Sequence, residues 1–289
     1  MTRASAWVIC VAANVLALAG APAWGGQAEK PAVKDLVAKG KYVFATAGGC
    51  ACHTPAGAPG LNAGGWKFAG PFGVVHSRNI TPDRATGIGA WTNAQAVNAI
   101  RRGVRPDGTR VFPVHPYEYM AHIADDEASA LAAYLKSVKP VKHKVPGREL
   151  KGPPPAIPVP EAPKVAPTSG LARGEYLLKG PSHCGECHTP RRPDGSQDQS
   201  LFLAGGPGPE GTTPSNITPH PITGIGRWTE EQIARLLLTG ERPNAGPVGS
   251  LMHVVIQGSS VGYKDMTRAD ALAIAQYLKT VPAIDHRVP

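Results

Sequence analysis

"SHCGECHTP", residues 182–190, sets two cysteines three positions apart with a histidine directly behind the second. On a helical turn, residues i and i+3 share a face. Both thiols of Cys184 and Cys187 can therefore meet one edge of a flat ring, while His188 reaches a metal at its centre. C-x-x-C-H is the attachment pattern of a c-type haem. A thioredoxin-like reading of the two cysteines leaves His188 and the following Thr189-Pro190 unexplained.

Upstream the phrase recurs with a residue missing. "GGCACHT" (48–54) places only Ala51 between Cys50 and Cys52, ahead of His53. Its surroundings are repeated too. "AKGKYVFATAGGCACHTP" (38–55) echoes "ARGEYLLKGPSHCGECHTP" (172–190), "NITPDRATGIGAWT" (79–92) echoes "NITPHPITGIGRWT" (216–229), and "ALAAYLKSVKPV" (130–141) echoes "AIAQYLKTVPAI" (273–284). Ten residues separate Gly40 from Cys50 and also Gly174 from Cys184, so the register changes between the cysteines. The first site is the second with one residue deleted. Since i and i+2 do not face each other on a helix, either the turn distorts so that both thiols bond, or one thioether forms.

Three repeated blocks in one order predict duplicated domains at 24–144 and 169–289. Between them, 145–168 is dense in proline and reads as a semi-extended linker. Each half is expected to open with a helix (32–46, 169–180) that runs into the cysteine motif. Thr92 and Thr229, each with glutamine three residues on, predict capping boxes; the helices they open should end at Gly103 and Gly240. Apolar spacing of i, i+3, i+4 predicts closing helices over 125–138 and 267–280. Neither half shows sustained alternation. The expectation is an all-α chain of two tandem domains.

The N-terminal segment has one early charge at Arg3, an apolar run to about Leu18 and the small triplet Ala21-Pro22-Ala23. That is the anatomy of a signal peptide spanning 1–23, and it predicts export to the periplasm. Cys10 leaves with it, so the remaining four cysteines are those of the two motifs. Net charge is +9. Such a balance suits acidic partners or an anionic membrane surface. With 6% aromatic residues and no basic cluster, nucleic acid is not expected.

Haem iron held by one histidine takes a second axial ligand, commonly methionine or histidine, when its task is electron transfer. Met252 lies 24 residues after Trp228, and His115 lies 24 after Trp91. The repeat therefore nominates Met252 and His115, with His188 and His53 as the motif ligands. Met266 rivals Met252; Met120 and His122 rival His115. His76, His183, His220 and His253 have no repeat partner of the same type.

The motifs "CGECHTP", both "NITP…TGIG.W" blocks and both "AYLK"-like helices resemble the tandem cytochrome c subunits that accept electrons for periplasmic alcohol, aldehyde and sugar-acid dehydrogenases. The resemblance covers nearly all of the chain after the leader. It implies two cytochrome c-like domains with two covalently bound c-type haems, held by Cys184, Cys187 and His188 and by Cys50, Cys52 and His53. It also implies a dehydrogenase as electron donor and a cytochrome or oxidase as acceptor. In that family the loop before the last helix reads Met-Pro-Tyr or Met-Pro-Trp; here it is His115-Pro116-Tyr117, a substitution at the axial position. Three-haem members of that family carry a third domain beyond the two expected here. The resulting expectation is a periplasmic dihaem electron carrier. Its rivals are a dihaem enzyme such as a thiosulfate dehydrogenase or peroxidase, with an exchangeable position at the first iron, and a zinc or dithiol protein.

Overall fold

Gly40 and Gly174 occupy equivalent places in the repeat, and each marks a helix crossing that tolerates no side chain. In a computed structural model of the chain, a Cβ on Gly40 would lie 1.9 Å from the carbonyl oxygen of Ala130, and one on Gly174 would lie 1.9 Å from that of Ala273. The structure describes residue 1 and residues 33–193, 195–243 and 245–288. The leader expected over 1–23 lies outside the described residues apart from Met1.

In the first half, α1 (Val33–Thr46) is followed by a 3-10 turn (Gly48–His53) and the hairpin β1 (Lys67–Gly70) and β2 (Gly73–His76). Then come α2 (Asn93–Arg102), the single turn α3 (Tyr117–Met120) and α4 (Asp125–Ser137). A two-residue strand, β3 (Glu149–Leu150), opens the proline-rich segment. The second half holds α5 (Gly170–Lys179), α6 (Cys184–His188), α7 (Glu230–Thr239), the short strands β4 (Glu241–Arg242) and β5 (Gly246–Pro247), α8 (Ser250–Gln257) and α9 (Arg268–Leu278). α1 packs across α4, and α5 across α9. Thr92 and Thr229 do close capping boxes with Gln95 and Gln232. Gly103 and Gly240 end those helices in left-handed backbone, the conformation glycine adopts without penalty.

The all-α, two-tandem-domain expectation is corrected on both counts. β1, β2 and β3 form an antiparallel sheet, with β2 central, and β4 pairs with β5. Strands of two to four residues are too short to display the alternation that reveals a strand in sequence. The span Ala32–Pro289 is one compact unit, because the halves share their interiors. The core around Leu177, Ile274 and Met266 takes in Ala124 and Ala166 from outside the second half. The core around Phe44, Ile123 and Leu131 takes in Val261 from the second.

Polar groups bind the halves equally closely. Tyr42 donates to Asp270 (2.7 Å), and its repeat counterpart Tyr176 donates to Glu127 (2.6 Å), the counterpart of Asp270. Each tyrosine thus serves the other half's carboxylate. Arg173, buried with both acids, pairs with Glu127 and Asp270 at 2.9 Å each. The proline-rich segment is extended and docked. α4 has no side-chain cap; carbonyls of Pro163 and Lys164 instead accept from Asp125 and Asp126 N–H, satisfying donors that a helix start leaves unpaired. Tyr117 donates to the Pro155 carbonyl and accepts from Ile157 N–H.

Candidate functional site: two cysteine–histidine motifs

α5 delivers the second motif through a left-handed residue, His183 (φ 37°, ψ 41°), after which Cys184–His188 coil as α6. α1 delivers the first motif through Gly49 (φ 64°), but there the left-handed conformation continues into Cys50 (φ 43°, ψ 43°). A non-glycine residue in that region costs about 1–2 kcal/mol. The deletion therefore distorts the turn. Thr54 N–H bonds back to Ala51, whereas Thr189 N–H bonds back to Gly185, one residue further. Cys50 is half-buried and Cys52 exposed, while Cys184 and Cys187 are both half-buried; all four thiols are free.

Beyond the cysteines the two motifs converge again. His53 Nδ1 lies 2.5 Å from the Arg78 carbonyl, and His188 Nδ1 lies 2.7 Å from the Ser215 carbonyl. A carbonyl only accepts, so each Nδ1 carries the proton and each Nε2 keeps its lone pair for a metal. Burial holds both rings neutral, His53 down to about 4. Neutral imidazole is the ligating form.

Half-exposed apolar side chains pack against the same core as a cysteine of each motif. Ile80, Trp91, Val97 and Ile100 accompany Cys50; their repeat-mates Ile217 and Trp228 accompany Cys184, together with Leu236 and Met252. A large flat apolar group would cover such a surface. Thiols, open imidazoles and apolar walls together fit a covalently attached haem. They fit the other chemistries poorly. Desolvation raises the thiols, Cys52 to about 11 and Cys50, Cys184 and Cys187 to about 12. Reactive dithiols have the opposite shift. Among the described residues no group of three or more His, Cys, Asp or Glu is placed to hold a metal ion.

The second-ligand candidates are placed as follows. Met252, on α8, packs half-exposed against the same core as Cys184. His115 is close enough to His53 for its charge to depress that ring, and it acts likewise on His183. Its Nε2 is bonded to the Ile100 carbonyl at 2.9 Å, which leaves Nδ1 as the free nitrogen. Met266 and Met120 are buried within the two cores. His122 is half-buried against Gly180. His183 Nδ1 faces the Pro181 carbonyl, His220 bonds Thr223, and His253 is exposed. Nδ1 of His76 is buried without a hydrogen-bond partner.

The motifs also face one another. Cys187 feels the charge of Cys52. α8 lies against the first motif's turn, where a Cβ on Gly48 would stand 2.9 Å from Val255. Reciprocally, a Cβ on Gly185 would stand 2.7 Å from the hydroxyl of Tyr119 on α3.

One pair of residues escaped the repeat-based reading. His143 Nδ1 contacts the Ala63 carbonyl (2.9 Å), and His286 Nδ1 contacts the Ala204 carbonyl (3.2 Å). The next residues, Gly64 and Gly205, donate to the carbonyls of His53 and His188. These histidines brace the loops behind the motifs. Their signal was present as His143-Lys144-Val145-Pro146 and His286-Arg287-Val288-Pro289.

Comparison with known proteins agrees with this geometry. The cytochrome c family model matches residues 37–139. A diheme cytochrome c-type protein of Cereibacter sphaeroides is 35% identical over 269 residues, covering 86% of this chain and 86% of that protein. The cytochrome c subunit of an alcohol dehydrogenase (quinone) from Gluconobacter oxydans is 32% identical over 300 residues, covering 96% of this chain and 60% of the subunit. The fructose dehydrogenase cytochrome subunit of Gluconobacter japonicus is 33% identical, covering 86% of this chain and 53% of the subunit. The chain belongs to the cytochrome c family. Covalently bound c-type haem comes with that membership. The chain spans a little over half the length of the dehydrogenase subunits it matches.

Proposed function

We propose that the chain is an exported dihaem cytochrome c that carries electrons from a periplasmic dehydrogenase to a respiratory cytochrome or oxidase. The observation that carries this reading is the matched pair of histidine clasps, His53 on Arg78 and His188 on Ser215. Each presents a neutral, oriented imidazole beside cysteine thiols. Cys184 and Cys187 hold the second haem; Cys52, with or without Cys50, holds the first. Bound haem supplies a one-electron couple, and the protein's part is to orient, shield and connect. Met252 is the second ligand in one half and His115 in the other, His115 through Nδ1 or after release from Ile100. The dehydrogenase donor is supported by the relatives, which are named as cytochrome subunits of alcohol, fructose and gluconate dehydrogenases.

A visible spectrum, oxidised and reduced, with haem counted per chain, tests the reading. Two haems per chain are expected, with a methionine-to-iron band that disappears in Met252→Ala. Methionine ligation raises potential relative to histidine, so that variant should also lose the higher of two midpoint potentials. A colourless purified protein, or one haem per chain, refutes the dihaem assignment.

One observation favours a catalytic alternative: Nε2 of His115 is engaged with Ile100 rather than open. A first iron without His115 would keep an exchangeable position, as a thiosulfate dehydrogenase or peroxidase needs. Turnover of thiosulfate or peroxide by the purified protein, abolished in His53→Ala, would establish that reading; absence of turnover retains the carrier.

A further inference from the structure

The halves differ in charge more than in fold. Residues 33–168 carry 17 Lys and Arg against 9 Asp and Glu, whereas residues 169–289 carry 11 against 11. Four of the first half's cations gather in one place. Arg78, whose carbonyl clasps His53, sends its guanidinium to the Pro146 carbonyl at 3.1 Å. Two residues beyond Pro146, Arg148 donates to the Arg110 carbonyl at 2.5 Å. Arg110 bridges Val104 across the tight turn in which Arg105 N–H bonds Thr109. Arg78, Arg110 and Arg148 are exposed and Arg105 half-buried. The Arg105 guanidinium is disfavoured first by burial and then by the charges of Arg78 and Arg148.

Asp107 offsets Arg105 only in part, as the last and smallest of its influences. The Asp107 carboxylate is occupied by the N–H and hydroxyl of Thr109. Among the described residues none of the four arginines forms a salt bridge. The fold does not require them either. In the second half Ser215 replaces Arg78 and Pro247 replaces Arg110. Arg242, in the place of Arg105, is turned back onto the carbonyls of Gly246 and Ala245. Gathering like charges is repulsive unless an anion joins them, and guanidinium forks match carboxylates in pairs.

We propose that Arg78, Arg105, Arg110 and Arg148, beside Cys52 and His53, form the docking face for a carboxylate-rich surface of the partner redox protein, so that electrons cross between partner and chain at the first half. This rests on the carrier reading above. The second half, electrically neutral and without the cluster, faces away from that partner and exchanges electrons with the first.

The test uses the full-length, haem-loaded protein and poly-L-glutamate as an acidic-surface probe. Arg110→Glu with Arg148→Glu is compared with Arg227→Glu and Arg235→Glu, an exposed pair in the second half. The first pair should weaken binding by about tenfold or more at low salt, and the second by less than about twofold. Oxidation by ferricyanide, an anion, should slow about tenfold in the first pair alone. Equal loss in both pairs, or none in either, overturns the proposal. So does binding to anionic phospholipid vesicles with no binding to poly-L-glutamate, which would make the face a membrane contact. Where the double reversal does not fold, Arg78→Gln should still weaken probe binding by about threefold, and no change overturns the assignment. Haem content and reversible reduction are read on the same samples. Their failure refutes the carrier, whereas probe binding alone decides the face.

Discussion

The two cysteine–histidine motifs lie in repeated stretches of sequence, and the first is one residue shorter between its cysteines. In the second half, left-handed backbone ends at His183 and α6 carries Cys184 and Cys187 on one helical face. In the first, left-handed backbone runs on through Cys50 and the α-turn tightens to a 3-10 turn. Yet His53 and His188 both meet a backbone carbonyl through Nδ1 at nearly the same distance. Their loops are braced by His143 and His286 alike. The lesson is that the imidazole is positioned by the loop it faces, not by the turn that carries it. The thiols depend on the turn, so the shorter spacing strains the cysteines and spares the imidazole.

The sharpest way to break this comparison is to count haems. Replacing Cys184 and Cys187 together by alanine should remove one haem mass from the denatured protein. Cys50→Ala should retain both, the first attached through Cys52 alone. A Cys50→Ala protein that loses a haem would show that the distorted turn still uses both thiols. Next in size is the ion cluster between the halves. Arg173→Met leaves Glu127 and Asp270 buried without their cation and should cost about 3–5 kcal/mol, measured by denaturant unfolding. A loss below about 1 kcal/mol would mean that the carboxylates find protons or water, as they do at a surface.

Gly49→Ala comes third. A Cβ there would stand 1.9 Å from the Val261 carbonyl, in backbone at φ 64°, and should cost about 2–3 kcal/mol. The equivalent His183→Ala should cost less than about 1 kcal/mol. Equal effects would show that the 258–262 segment yields rather than clamps. The smallest effects belong to the exchanged tyrosines. Tyr42→Phe and Tyr176→Phe should each cost about 1 kcal/mol. Both hydroxyls also accept a backbone N–H, from Ala124 and Thr267, but Tyr176 should be the larger loss because it is buried and Tyr42 only half-buried. The reverse order would indicate that Tyr42, with Thr267, carries more of the joint.

What could be read in the sequence was local. Both capping boxes, both glycine stops and both closing helices follow from contacts within a few residues, and Thr92, Gly103, Thr229 and Gly240 state them outright. The cysteine motifs were legible for the same reason. The strands were not, because β3 exists only where Glu149 and Leu150 meet β2, and four-residue strands carry no period. The separateness of the halves was misread because repeats show what is alike, whereas Ala124 and Val261 are buried in cores whose other members lie far along the chain. Tyr42 and Tyr176, Glu127 and Asp270 stood in the repeat as matched pairs. Nothing in one dimension said that each tyrosine would take the other half's acid.

That exchange governs how the molecule comes apart. A protease that nicks the exposed stretch around Gly152 would not yield two independent proteins. The fragments should stay together as a complex through gel filtration, held by Arg173, the crossed tyrosines and the borrowed core residues. Heating should likewise melt the haem-loaded chain in one transition, with no interval in which one half survives the other. Separation would strand Glu127 without Arg173 and Tyr176, and would take Tyr42 from Asp270, so the chain outlives its own cleavage but not its own division.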